Sequence, residues 1–84
     1  MNKKHQKTLK AIFANPVSTS IRWADVESLL QAMGANVNEG DGSRVSFVFG
    51  NEAWYTHRPH PEKEAKPYQI RSLRSFLNHI GVER

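Results

Sequence analysis

The stretch from Gly42 to Pro61 constrains the fold more than any other part of the chain. Arg44-Val45-Ser46-Phe47-Val48-Phe49 alternates in strand fashion, Gly50-Asn51 supplies a two-residue turn, and Ala53-Trp54-Tyr55-Thr56-His57 forms the return strand. Side chains alternate across a strand, so Val45, Phe47 and Phe49 share one face. A turn at Gly50-Asn51 sets Phe47 across from Trp54 and Val45 across from Thr56. That face is apolar and should meet the helices. The opposite face carries Arg44, Ser46, Val48, Tyr55 and His57, with Arg44 opposite His57 and Ser46 opposite Tyr55. A turn at Asn51-Glu52 would keep these faces and make Arg44 diagonal to His57. A three-residue loop would reverse the facing of one strand.

The flanking segments read as helices. From Lys3 to Ala14, Leu9, Ile12 and Phe13 make a short apolar stripe, and Lys3, Lys4, Lys7 and Lys10 fall elsewhere. Asn15-Pro16 should end this helix, because a residue before proline avoids the α region. Ser20 or Thr19 is the expected cap of the next helix. Its stripe is Trp23, Val26, Leu30 and Met33, and Gly34 is suited to close it. Ala35 to Glu39 reads as a short strand, and Gly40-Asp41-Gly42 as a turn. After a polar loop from His57 to Lys66, Pro67 opens a last helix with a stripe of Ile70, Leu73, Phe76, Leu77 and Ile80, ended by Gly81. The order is α-α-β-β-β-α. Contiguous antiparallel strands with flanking helices predict an α+β fold, with helices on one sheet face and the other face open.

At 84 residues and 38% apolar composition, the chain should be one domain over residues 1–84, with an open surface site rather than an enclosed cavity. It contains no cysteine, which excludes a disulfide scaffold and a Cys-ligated zinc site. No secretory signal or membrane span is legible, and a cytoplasmic protein is expected. The net charge of +4 favours an anionic partner such as nucleic acid.

The polar face suits a phosphodiester. Arginine binds phosphate oxygens bidentately, tyrosine stacks on bases, and histidine moves protons near neutral pH. Arg44, Tyr55 and His57 lie on this face, and Arg58 and His60 follow in a proline-spaced loop. Lys63 and Lys66 precede the last helix. Arg71 and Arg74 lie to one side of its apolar stripe and could continue a basic track. The same residues also suit an ordinary solvated sheet face and helix flank.

The Gly42-Ser43 pair, the strand-turn-strand unit, the Arg58-Pro59-His60-Pro61 loop and a basic last helix ending at Gly81 together resemble the HicA toxins. The resemblance runs from about Trp23 to Gly81. Residues 1–20 look like the N-terminal helical extension of a longer branch, and residues 21–84 like the family core. The resemblance implies a fold like the double-stranded-RNA-binding domain and a small bacterial toxin that cleaves mRNA without a metal or other cofactor. It also implies a HicB-like antitoxin as partner, with DNA reached only indirectly through that antitoxin. The family's usual catalytic histidine directly follows a Gly-Ser pair. Here Arg44 follows Gly42-Ser43, so that role cannot be carried over. His57 and His60 are then the candidate catalytic residues, with Arg44, Tyr55, Arg58, Lys66, Arg71 and Arg74 as candidate RNA contacts.

Three other readings compete. His57 and His60 have His-x-x-His spacing with Glu62 and Glu64 beyond, but the prolines keep the histidines off one helical face, where zinc-protease ligands sit. A non-catalytic RNA- or protein-binding module would need no catalytic histidine. A helix-turn-helix DNA reader would need a recognition helix where the strands fall.

Overall fold

The computed structural model describes residues 1–82. Its elements are α1 (Lys3–Ile12), α2 (Trp23–Ala32), β1 (Asn36–Glu39), β2 (Arg44–Phe49), β3 (Glu52–His57) and α3 (Pro67–His79). The strands form one antiparallel sheet in the order β1-β2-β3. Helix order, strand order and fold class agree with the α+β expectation. None of the described helices is long and apolar enough to cross a membrane.

The hairpin takes the Gly50-Asn51 turn. Phe49 pairs with Glu52, Phe47 with Trp54, Val45 with Thr56, Ser46 with Tyr55 and Arg44 with His57. Gly50 has φ 60° and Asn51 does not have a positive φ, which is the pattern of a type II′ turn. Only a residue without a Cβ takes that first position cheaply. β1 adds Val37 opposite Phe47 and Asn38 opposite Ser46.

One face of this sheet is the core. Val45, Phe47 and Trp54 are buried against Trp23, Val26, Leu29 and Leu30 of α2 and Ile70, Leu73 and Leu77 of α3. Trp23, Phe47 and Trp54 form an aromatic cluster with ring centroids 5.8–6.1 Å apart. Such contacts add to the area term that drives burial. The Trp54 indole N–H donates to Ser72 Oγ at 2.9 Å, so the polar end of the ring is satisfied.

The expected cap of α2 is corrected. The helix begins at Trp23, behind Ser20 and Thr19, and Arg22 at the cap position makes no side-chain cap bond. Ser20 is instead bonded locally to Ser18. A tertiary contact does the work of the cap. The Trp23 N–H donates to Lys63 O at 2.8 Å, and the Ala65 N–H donates to Ile21 O at 2.8 Å, across a short Arg22–Glu64 bridge. The backbone of the loop before α3 therefore supplies the acceptor that a side chain would otherwise provide.

α1 ends at Ile12, earlier than the expected Ala14. It lies on α2 and α3 through Thr8 and Ile12, with Lys4 3.5 Å from Asp25 and His5 Nε2 2.9 Å from Ser28 Oγ. At its other end, Arg74 Nε donates to Ile12 O at 2.7 Å and its terminal nitrogen donates to Ala14 O. A cation on the final carbonyls suits the negative end of a helix.

Candidate functional site

The uncovered sheet face is the one that the alternation predicts. Arg44, Tyr55 and His57 are exposed on it. At the end of the sheet where the β1–β2 turn, the start of β2, the end of β3 and the first turn of α3 meet, there is a cleft of about 560 Å3. Arg44, Ser46, Tyr55 and His57 line it, together with Asn38 from β1 and Tyr68 from α3. The volume is within the usual range for small-ligand sites, about 300–1,000 Å3.

Arg44 and His57 are direct cross-strand partners. Opposed residues in an antiparallel pair have Cβ atoms roughly 4.5–5.5 Å apart. The pair therefore presents a guanidinium beside an imidazole on one open surface. This can hold a phosphate oxygen and exchange a proton with a neighbouring hydroxyl.

The end of β3 is held by Gln69, which sequence reading did not single out. Gln69 is 2% exposed, and all of its polar atoms are used. Its amide nitrogen donates to His57 O at 2.6 Å and to Thr56 Oγ1 at 3.1 Å, and its oxygen accepts from the Lys66 N–H at 2.9 Å. One side chain thus joins the start of α3 to the backbone of His57. The available signal was its position: Gln69 lies four residues before Leu73, on the buried stripe, where a polar side chain must find partners.

The other candidates are placed differently. Arg58 turns to the helix side. Its Nε donates to Glu27 at 2.7 Å and its Nη1 to Glu39 at 2.8 Å. These bonds raise its pKa above the ordinary arginine value, Glu27 first and Glu39 second. Glu27 also accepts from the Trp23 indole N–H. Arg58 therefore joins α2, β1 and the end of β3, and its charge is balanced inside the fold. Arg74 is engaged with the carbonyls of α1. Lys66 pairs with Glu62 at 3.3 Å, and Glu62 is held below the ordinary carboxylate value by a backbone hydrogen bond and then by Lys66. Arg71 is exposed on α3 but does not line the cleft, and His60 is exposed on the loop, also outside it. The continuous basic track expected along α3 is thus broken up by pairing. Among the described residues, no group of three or more His, Cys, Asp or Glu could hold a metal ion.

The family described as the HicA toxin of bacterial toxin–antitoxin systems matches residues 23–82, from the start of α2 to beyond α3. The chain belongs to the HicA toxin family. α1 lies ahead of the matched residues, as an N-terminal extension of the HicA domain. No curated protein and no solved structure matches the chain. Within the HicA domain, the residue after Gly42-Ser43 is Arg44, and it is His57, across the ladder, that brings an imidazole into the cleft.

Proposed function

We propose that this HicA toxin is an endoribonuclease that cleaves mRNA in the cytoplasm without a metal ion. The observation that carries the reading is the pairing of Arg44 with His57 on an open face within the cleft. His57 takes the proton of a ribose 2′-hydroxyl. The 2′-oxygen attacks the adjacent phosphorus, and the bond to the 5′-oxygen of the next nucleotide breaks. The products are a 2′,3′-cyclic phosphate and a 5′-hydroxyl. Arg44 stabilises the negative charge that builds on the phosphate oxygens. Water in the open cleft returns a proton to the leaving oxygen, since His60 lies outside the cleft. Arg58 serves the fold, with Glu27 and Glu39, rather than the phosphate.

A HicB-like antitoxin would neutralise the toxin by covering this face. The net charge of +4 and the exposed Arg44 favour an acidic partner surface, through electrostatic steering more than through raw affinity. DNA would be contacted only through the antitoxin.

The presence of Arg44 where the family pattern has histidine favours a second reading, a module that binds RNA and antitoxin without cleaving. Purified protein incubated with mRNA in excess chelator separates the two. The enzyme gives cleaved fragments that accumulate over many turnovers. A binder gives only a salt-dependent mobility shift.

A further inference from the structure

Most of the aromatic residues of this chain are spent on the core. Trp23, Phe47 and Trp54 pack together, and Phe49 packs on Phe76. The large apolar side chains left exposed among the described residues are Met1, Tyr55 at 78% and Tyr68 at 58%. The two tyrosines come from different elements, β3 and α3, and line the same cleft. Neither hydroxyl makes a hydrogen bond among the described residues, so neither ring is held there to satisfy a polar partner.

Both rings stand on fixed backbone. Tyr55 pairs with Ser46 inside the β2–β3 ladder. Tyr68 lies between Pro67, at the first position of α3, and the anchored Gln69. A tyrosine on rigid backbone offers a large flat surface at low cost in side-chain entropy. Beside these rings are Arg44 and His57, which suit a phosphate, and Asn38 and Ser46, which suit polar edges.

We infer that the cleft is a nucleobase-stacking site for unpaired RNA, with Tyr55 and Tyr68 as its two stacking surfaces. This rests on the RNA reading above and narrows it. In a duplex, the base faces are covered by their neighbours and cannot reach a side-chain ring. In a single strand they are free, and every base has such a face. The two rings therefore select unpaired nucleotides and set the scissile phosphate at Arg44 and His57. Selection of this kind runs against the expectation from a double-stranded-RNA-binding-domain-like fold, whose namesake reads duplex shape through 2′-hydroxyl and phosphate contacts. Tyr68 is a specificity residue on α3 that the phosphate chemistry does not require.

The test is fluorescence anisotropy with a labelled single-stranded 2′-O-methyl RNA of twelve nucleotides, which has no free 2′-hydroxyl to attack, and with the same strand annealed to its complement. The intact chain should bind the single strand at least tenfold more tightly than the duplex. Tyr55→Ala and Tyr68→Ala should each weaken single-strand binding by roughly tenfold, and Tyr→Phe at either position should restore it. The slope of affinity against salt should stay unchanged in both alanine variants, because stacking releases no counterions, whereas Arg44→Ala should reduce it by about one. Both rings are exposed, and circular dichroism checks that the variants are folded. Equal binding of single strand and duplex overturns the inference, as does wild-type single-strand affinity in Tyr68→Ala. If these results come with mRNA cleavage intact, the RNA reading survives and the stacking site does not. Absence of binding to either RNA removes both. Wild-type RNA binding by the alanine variants, combined with lost neutralisation by the antitoxin, assigns the tyrosines to the protein partner instead.

Discussion

Gln69 shows how much of the site depends on a single buried side chain that takes no part in the proposed chemistry. It offers two donor bonds, to His57 O and Thr56 Oγ1, and one acceptor, to the Lys66 N–H. Truncation leaves three buried or half-buried groups without partners, at about 1–3 kcal/mol for each group that water cannot reach. We expect Gln69→Ala to cost about 2 kcal/mol in thermal unfolding, which for a domain of this size is roughly 8–16 °C. The same variant should slow cleavage more than Arg71→Ala does, because the backbone under His57 loses its hold on α3. Arg58 makes a related point about charge. Its pKa is raised by Glu27 and Glu39, so the stabilisation from its charge is fully present below the ordinary arginine value for as long as its carboxylate partners are charged. It is lost only as pH rises through the higher folded value, outside the working range of the protein. Arg44, on the open face, has no such partner among the described residues, and this leaves it available to an anion.

At the scale of elements, α1 and α3 are joined by a contact that runs through the chain's own carbonyls. Arg74 donates to Ile12 O and Ala14 O, closing the end of α1. Arg74→Ala should destabilise the protein by about 1–2 kcal/mol, towards the low end for hydrogen bonds to charged groups because the site is partly exposed. It should leave the salt slope of RNA binding unchanged. Arg44→Ala should do the reverse, preserving the melting temperature and flattening the slope. The contrast separates a fold-holding arginine from an RNA-facing one. It also marks what was legible beforehand. The faces of the hairpin follow from residue alternation, a local property, and of the turns left open the structure takes Gly50-Asn51, with the pairing that turn sets. Arg58 and Arg74 read as basic surface because their partners are distant in the chain, 19 and 31 residues away for Arg58 and 60 and 62 for Arg74. The start of α2 differs from the sequence expectation for a similar reason, since the acceptor for the Trp23 N–H is the distant Lys63 carbonyl. Tyr68 and Gln69 were legible in principle. One is an aromatic off the buried stripe of α3 and the other is a polar residue on it, and both departures from pattern point to the cleft.

For the whole molecule, the division of labour is clear. The three helices and one sheet face form the core, and the other sheet face is left open beside a cleft that carries Arg44, His57 and the two tyrosines. The +4 charge is unevenly available, because Lys4, Arg58, Lys66 and Arg74 are engaged within the fold. Binding to RNA should therefore show a shallow salt slope, set by Arg44 and few other cations, rather than one matching the full count of lysines and arginines. An acidic antitoxin that covers the open face should protect Tyr55 from chemical modification and leave the exposed residues of α1 reactive. We propose that His57, paired with Arg44, provides the proton transfer of an RNA-cleaving toxin. The most direct measurement is the single-turnover rate of mRNA cleavage by the wild-type chain and by His57→Ala, in chelator, with both proteins shown to be folded. The rate should fall by about 10²–10⁴-fold in the variant, with 2′,3′-cyclic phosphate ends on the wild-type products. A folded His57→Ala protein that cleaves at the wild-type rate would contradict it.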